Sequence, residues 1–244
     1  MNVEEVIKYQ KKLSNSSAQE IISWATAHFG ATNIALASSL GVEDQVLTDL
    51  LLKINPQIQI FTLDTGRLAQ ETYEVIERTN EKYHFKIELV FPDNKKVEAL
   101  VNEYGPDLFY KSVENRRKCC YVRKVEPLKK KLATLKAWVC GLRKEQGMTR
   151  SDVKQIEWDE NFNLVKLNPL VNWTEEDVWQ YIKNNNVPYN KLHDQGYPSI
   201  GCAPCTRAIN AGEDIRAGRW WWEMPEQKEC GLHIKTGKLI ENTG

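Results

Sequence analysis

Six cysteines are the residues of this chain best suited to chemistry, and four of them form two close pairs. Cys119 and Cys120 are adjacent, and Cys202 and Cys205 form a C-x-x-C pair. Four thiolates are enough to hold a zinc ion or a [4Fe-4S] cluster. Two C-x-x-C pairs would favour zinc, but the side chains of adjacent cysteines diverge, which suits the wider ligand angles of an iron–sulfur cube. The pattern therefore favours a cluster over zinc, and four unligated thiols are the weaker alternative.

The two remaining cysteines differ in their surroundings. Cys230 lies in Glu-Cys-Gly-Leu-His, so His233 is nearby and a basic residue follows. Such neighbours can lower the pKa of a thiol, and the thiolate is the nucleophile. An incidental surface cysteine is the alternative for Cys230. Cys140 lies in an apolar run and is expected to be a core residue, while His193 has no partner spacing and is expected to be structural or exposed.

A second group of residues is suited to binding an anion. The turn Ser38-Ser39-Leu40-Gly41 lies between a predicted strand and a predicted helix, where amides, hydroxyls and the helix N-terminus can face an anion. An ordinary capped turn is the alternative. The next predicted strand ends at Asp64-Thr-Gly-Arg67, and open parallel sheets bind ligands at the carboxyl ends of their strands. Together the two turns predict a nucleotide site.

Several arginines could complete this site. Arg143 follows a predicted strand and would point to the same sheet edge, and Arg216 and Arg219 stand beside the tryptophans at 220–222. Arginine suits phosphate and sulfate because it is always charged and donates in pairs. A nucleic-acid surface is the alternative, and the basic run 116–131 would fit it. However, Lys+Arg and Asp+Glu both number 33, and this neutral balance argues against a nucleic-acid partner.

The elements that must position these residues alternate between strand and helix. This alternation predicts an α/β fold, an open parallel sheet with helices on both faces. A capping pattern at Thr174 predicts one later helix, and from Val187 onward glycine, proline and aromatic residues predict an ordered, loop-rich lid. The predicted strands are 33–38, 58–63, 85–91 and 137–141, and the predicted helices are 17–28, 43–53, 68–83, 94–104 and 174–183.

The chain has 244 residues, of which 41% are hydrophobic and 27% charged, as in ordinary globular proteins. We expect one domain overall, with a nucleotide-binding core at 1–185 that carries the Cys-Cys pair and a C-terminal segment at 186–244 that carries the C-x-x-C pair. No apolar run approaches the roughly 18 residues of a membrane span. The opening MNVEEVIKYQKK lacks the apolar region of a secretory signal. The expected location is therefore the cytoplasm, without a membrane partner.

Taken in order, the motifs resemble those of the assimilatory sulfonucleotide reductases, of the iron–sulfur type that reduces adenylylsulfate (APS). The resemblance extends from about Ser38 to Lys235 and implies an adenine nucleotide α-hydrolase-like fold. Cys-Cys, C-x-x-C and ECGLH in this order are its most specific part. The motifs are SSLGVEDQ, TLDTGRL, RRKCCYVRKVEPL, GLRKEQ, WTEEDVWQYI, YPSIGCAPCTR, GRWWWE and ECGLH.

The resemblance implies a role for each candidate residue. Cys230 would be the nucleophile, and a [4Fe-4S] cluster would be bound by Cys119, Cys120, Cys202 and Cys205. Lys124 would link the cluster to the substrate. Arg143 is not implied by the resemblance, and we add it to the substrate-binding residues because it follows a predicted strand. The implied substrate-binding residues are Ser38, Ser39, Gly41, Leu63, Gly66, Lys124, Arg216, Arg219 and His233.

The implied reaction is attack of the Cys230 thiolate on the sulfate sulfur, which gives S-sulfocysteine and AMP. An external thiol protein, thioredoxin or glutaredoxin, would then release sulfite. Because Cys230 must meet both substrate and partner, the segment 224–244 is expected to be mobile. The alternatives are reduction of the 3′-phosphorylated substrate PAPS or of both, an ATP-pyrophosphatase-type tRNA sulfur-transferase, and a non-catalytic iron–sulfur module. The sequence leaves the oligomeric state open.

Overall fold

The computed structural model describes residues 1–146, 150, 152–224 and 228. Its centre is a six-stranded sheet with the strand order β3-β2-β1-β4-β6-β5. Neighbouring strands are parallel except β5, which pairs antiparallel with β6 at one edge. The strands are β1 (Ile34–Ser38), β2 (Gln59–Leu63), β3 (Glu88–Val90), β4 (Ala137–Val139), β5 (Ile156–Asp159) and β6 (Leu164–Leu167).

Helices cover both faces of this sheet, as predicted. On one face, side chains such as Leu36 and Val139 form the larger hydrophobic core with α1–α4 and α9. On the other face, Phe61 and Trp138 pack with Leu128 of α8. The helices are α1 (Val3–Lys12), α2 (Ala18–Phe29), α3 (Val42–Ile54), α4 (Gln70–Tyr83), α5 (Asn94–Tyr104), α6 (Leu108–Lys111), α7 (Val113–Cys120), α8 (Glu126–Leu132) and α9 (Glu175–Asn184).

Local capping explains why several helix boundaries were predictable. Ser17 and Thr174 each accept a hydrogen bond from the backbone three residues on, in complete capping boxes at the starts of α2 and α9. Gly30 ends α2 with φ +83°, a conformation that glycine adopts without strain. These side chains satisfy helix-end backbone groups locally, so their effect is visible in the sequence.

The predicted strand 85–91 is shorter in the structure. Phe85 N donates to Asn80 O at 3.2 Å, and Ile87 N donates to Asn80 Oδ1 at 3.0 Å. The backbone of this stretch therefore closes the end of α4, and only Glu88–Val90 pairs with β2.

β5 and β6 were not predicted, and in β6 a buried lysine interrupts the apolar pattern. All four residues of β6 are buried, including Lys166. The Lys166 ammonium lies 3.5 Å from Glu157 on β5 and 5.3 Å from the ring centroid of Trp138. Ion pairing and the indole face compensate for the burial of this charge.

The described residues after Val187 are mainly loops, as predicted. They contain two short 3₁₀ helices, Lys191–Gln195 and Ala203–Cys205, and a β-bridge between Thr206 and Arg219. In the described part of the chain, no helix has both the length and the apolar character needed to cross a membrane.

Candidate active site

A cavity of about 240 Å³ lies at the carboxyl ends of β1, β2 and β4. This is the edge at which open parallel sheets bind ligands. The core contributes the first turn and the strand ends, and the C-terminal segment covers them with residues 198–201 and 215–220. Among the predicted site residues, those that line the cavity are Ser38, Ser39, Gly41, Leu63, Lys124, Arg216 and Arg219.

The turn after β1 is fixed by hydrogen bonds to Asp44, a residue in the first turn of α3. Asp44 Oδ2 accepts hydrogen bonds from the backbone N–H and the hydroxyl of Ser39, both at 2.6 Å. Its Oδ1 accepts from Gly141 N at 3.1 Å, which joins this turn to the end of β4. Because Gly41 is the N-cap of α3, no capping side chain competes with a ligand for the first amides of that helix.

The buried position of Asp44 changes its pKa. Burial raises its pKa to about 6, although the hydrogen bonds from Ser39 and Gly141 act in the opposite direction. The neighbouring carboxylate of Glu43 adds to the rise. A group that titrates near neutrality therefore stands directly behind the proposed anion-binding turn.

Arg143 does not occupy the place that the sequence predicted for it. Its side chain is 2% exposed, and its Nε donates to Glu43 Oε1 at 2.9 Å. Gln146 Nε2 donates to the same oxygen at 2.9 Å. In the described structure Arg143 is absent from the cavity lining, whereas Glu43 is part of it. Arg143 therefore supports a cavity residue rather than facing the cavity.

Gly66 also lies behind the cavity lining. Its φ of +69° allows a tight turn in which Gly66 N donates to Asp64 Oδ1 at 2.8 Å. A Cβ at this position would lie 3.5 Å from the Arg123 guanidinium, which donates to Thr65 O at 2.7 Å. The turn after β2 thus contacts the helical segment that follows Cys120.

The four paired cysteines converge on one cluster beside the cavity. Cys119, Cys202 and Cys205 are buried and Cys120 is half-buried, and all four pack together with neighbours such as Trp220. Among the residues that the structure describes, no group of three or more His, Cys, Asp or Glu is arranged to hold a metal ion.

Two backbone contacts hold the C-x-x-C loop in this place. Ala203 N donates to Arg67 O at 2.8 Å, and Trp220 N donates to Cys205 O at 3.2 Å. The Thr65 hydroxyl lies 3.2 Å from Cys202 Sγ. The turn after β2 therefore supports the cysteines as well as the cavity.

Lys124 lies between the cysteine cluster and the cavity. It belongs to a π-helical turn, Tyr121–Val125, directly after the Cys-Cys pair, and it lines the cavity. Such turns are rare and frequent at functional sites. Burial raises the pKa of Cys205 to about 12. At Cys202 burial has the same tendency, but Lys124, Thr65 and Arg219 outweigh it and lower the pKa of that thiol.

The two C-terminal arginines reach the cavity from the covering segment. Arg219 is buried, and its Nη1 donates to Ser199 Oγ at 3.3 Å and to Ile200 O at 3.2 Å. Arg216 Nη2 donates to the carbonyl of Lys228 at 3.1 Å. Cys230, His233 and, apart from Met224 and Lys228, the segment 224–244 lie outside the described residues.

Sequence reasoning missed several residues that line the cavity. Glu43, Asp44 and Gln146 belong to the motifs but were given no role, and Arg150 was not considered. His193, expected to be structural or exposed, lines the cavity, and its Nε2 is buried without a hydrogen-bond partner in the described structure. Burial lowers its pKa. The only sequence signal for these residues was proximity to a motif.

Residues 33–208 match the phosphoadenosine phosphosulfate reductase domain. An adenosine 5′-phosphosulfate reductase of Allochromatium vinosum is 56% identical over 201 residues, which cover 82% of this chain and 78% of that protein. One from Pseudomonas aeruginosa is 45% identical over 234 residues, covering 93% and 85%. The crystal structure of phosphoadenylyl-sulfate (PAPS) reductase from Candida auris, a phosphate complex, is similar with a TM-score of 0.73 and 28% identity, covering 86% of this chain and 98% of that one. This similarity confirms the expected adenine nucleotide α-hydrolase-like fold. The chain therefore belongs to the sulfonucleotide reductases, the family of the phosphoadenosine phosphosulfate reductase domain.

Proposed function

We propose that this chain is an enzyme that reduces adenylylsulfate (APS) to sulfite and AMP, with thiols as the reductant, in assimilatory sulfate reduction. The observation that carries the proposal is the position of Lys124, which lines the cavity and also interacts with Cys202. The cavity at the strand ends and the cluster of four cysteines thus share one cation. The curated relatives reported above are named for this substrate.

The proposed substrate position follows from the lining of the cavity. The phosphosulfate lies on Ser38, Ser39 and Gly41, where the Ser38 hydroxyl and the amides at the start of α3 provide donors. Leu63 frames the adenosine beside an apolar wall that includes Trp138, and Gly66 shapes the turn behind this lining. The anionic groups lie toward Lys124, Arg216 and Arg219. Arginine is suited to this role because its planar donors match two oxygens of one anion.

The proposed reaction begins with the thiolate of Cys230. It attacks the sulfate sulfur, the bond from sulfur to the phosphate oxygen breaks, and AMP leaves with the electron pair. This gives S-sulfocysteine at Cys230. Support comes from the contact between Arg216 and the carbonyl of Lys228, since Lys228 is only two residues before Cys230 in the sequence. His233 is proposed as a further contact of the bound substrate.

The second step needs an external dithiol protein, thioredoxin or glutaredoxin. Its thiolate attacks Sγ of Cys230, sulfite leaves with the electron pair of the S–S bond, and a mixed disulfide forms. The second thiol of the partner then releases Cys230 as a thiol and becomes part of the partner's disulfide. The dithiol thus supplies the two electrons that reduce sulfate to sulfite.

We propose that Cys119, Cys120, Cys202 and Cys205 bind a [4Fe-4S] cluster. The residues fit this group in two respects: the four thiols lie in one buried cluster, and Lys124 and Arg219 favour the thiolate of Cys202. The cysteines that bind iron–sulfur clusters do so as thiolates. When bound, the cluster would supply negative charge that holds the Lys124 ammonium at the edge of the substrate site. Zinc is the competing occupant.

Sulfite release tests the proposal. Protein purified without oxygen is supplied with APS or PAPS and reduced thioredoxin, and its iron and acid-labile sulfide are measured in the same sample. We expect sulfite from APS, with about four irons for each chain as the cubane requires. Faster release from PAPS would instead assign the 3′-phosphorylated substrate, which the Candida auris structure is named for. No sulfite from either substrate, with iron intact, would refute the proposed reaction.

The nucleophile is tested by Cys230→Ser. This variant should still bind AMP, measured by calorimetry, and should form no sulfite. It should also fail to become labelled when incubated with [35S]APS, whereas the unmodified protein should carry the label until thioredoxin is added. Normal turnover by Cys230→Ser would exclude Cys230 as the nucleophile.

A further inference from the structure

Arg219 is connected to two buried charged residues that do not line the cavity in the described structure. Arg116 lies on α7, one helical turn before Cys119, and Glu223 follows the three tryptophans. Their side chains are 1% and 2% exposed. Arg116 Nε donates to Glu223 Oε1 at 2.9 Å, and its Nη2 donates to Oε2 at 2.7 Å. This is a bidentate pair, the geometry in which an arginine fixes a carboxylate most precisely.

Trp220 connects this pair to Arg219. The guanidinium carbon of Arg116 lies 4.6 Å from the centroid of the Trp220 ring, and that of Arg219 lies 4.7 Å from it. Trp220 is 1% exposed and has a φ of +40°, which is rare for a bulky residue. Such a conformation persists only where the surroundings determine it. Here Glu223 N donates to Trp220 O at 2.8 Å, so the paired carboxylate and the indole belong to one turn.

The opposite side of Arg219 is also confined. A Cβ at Gly201 would lie 2.5 Å from Arg219 Nη2 and 2.7 Å from its Cζ. The Arg219 guanidinium therefore occupies the space that a side chain at position 201 would need. The Arg219 guanidinium is therefore confined between the Trp220 ring and this loop, at a position that lines the cavity.

We propose that Arg116 and Glu223 are positioning residues for substrate binding. They fix the Trp220 ring, and this ring in turn holds the Arg219 guanidinium toward the phosphosulfate. The inference rests on the proposed function. The bidentate pair requires a guanidinium at position 116, and a lysine cannot form it. The same pair also joins the helix that carries Cys119 to the turn that leads toward Cys230.

The test compares the KM for APS in Arg116→Lys and Glu223→Gln with that of the unmodified holoenzyme. Both variants should raise the KM on the order of tenfold, the loss expected when one charge-assisted contact to the substrate is misaligned. The iron content and the absorption spectrum of the cluster should be unchanged. Gly201→Ala displaces Arg219 from its other side and should raise the KM in the same way.

The matched control is Arg207→Lys. Arg207 forms a half-buried bidentate pair with Glu213, at 3.0 and 2.9 Å, and this variant should leave the KM unchanged. A merely structural role for Arg116 would lower the amount of folded enzyme, and hence the maximal rate, without changing the KM.

The outcomes separate the inference from the proposed function. Sulfite from the unmodified enzyme, together with an unchanged KM in Glu223→Gln, overturns the inference even if Arg116→Lys fails to fold. A raised KM in Gly201→Ala alone also overturns it, since Arg219 would then matter without the pair. If the unmodified enzyme makes no sulfite, the proposed function fails instead. The Kd for AMP of the same variants then decides the positioning role, and equal values reject it.

Discussion

Replacing Asp44 by asparagine should change how the free energy of unfolding depends on pH, by an amount that follows from the pKa of Asp44 in the folded protein. Burial raises the pKa of Asp44 from an ordinary 3.8 to about 6. Because the folded pKa is above the unfolded one, the protonated form contributes stability below pH 3.8, and this contribution is lost as the pH rises through about 6. A pKa that rises by about two units corresponds to about 3 kcal/mol in the free energy of unfolding, since each unit is worth about 1.4 kcal/mol.

The free energy of unfolding of Asp44→Asn, minus that of the unmodified protein, should therefore rise by about 3 kcal/mol between pH 4 and pH 8. Urea unfolding without oxygen, at five pH values in this range, measures this difference. Subtracting the two proteins cancels the contributions of the other titrating groups. The amide has one acceptor oxygen where the carboxylate has two, so the donors of Ser39 and Gly141 cannot all be satisfied. The KM for APS should consequently rise.

The matched control is Glu213→Gln, since its partner Arg207 lowers the pKa of Glu213 to about 2. The stability that the Glu213 carboxylate contributes is present above its ordinary pKa of 4.5 and is lost only as the pH falls toward 2. The difference for Glu213→Gln should thus be constant between pH 5 and pH 8. A constant difference for Asp44→Asn over the same range would refute the account of Asp44.

Three further predictions concern the cluster and the cavity. Cys120→Ser should lose both iron and sulfite formation, and a variant that stays active without iron would refute the ligand assignment. Lys124→Met should keep its iron but lose at least tenfold in kcat/KM, since a charge-assisted contact to the substrate is worth that much; unchanged kinetics would exclude the proposed link. Gly141→Ala should cost about 1–3 kcal/mol of stability, because its Cβ would lie 2.9 Å from Glu43 Cβ and closer still to Asp44. Thermal unfolding measures this loss, and an unshifted midpoint would contradict the packing argument.

The sheet and the first turn were predictable because their signals are local. Apolar runs bounded by capping residues located β1, β2, β4 and the helices α3, α4 and α5 to within a few residues. The rule that ligands bind at carboxyl strand ends then brought Ser38 and Leu63 to one edge, and both line the cavity. β6 was missed because Lys166 breaks its apolar pattern, and its compensating partners Glu157 and Trp138 lie on other strands.

The roles of Arg143 and Asp44 could not be predicted, because their partners are distant in sequence. The guanidinium of Arg143 pairs with Glu43, one hundred positions away, and Asp44 accepts from Gly141, 97 positions away. An arginine that follows a strand can face the ligand edge of the sheet, but a nearby carboxylate can pair with it in place of a substrate. Only the tertiary structure shows which of the two it meets.

The turn after β2 connects the cavity to the cysteine cluster. Its first residues end a strand of the core, and Thr65 lies 3.2 Å from Cys202 Sγ while its carbonyl accepts from Arg123. The Arg67 carbonyl holds the C-x-x-C loop through Ala203 N. A movement of the Cys-Cys pair or of the C-x-x-C pair must therefore move the edge of the proposed adenosine site. Because Lys124 follows Arg123 in the same π-helical turn, the charge proposed for the sulfate is fixed by these same contacts.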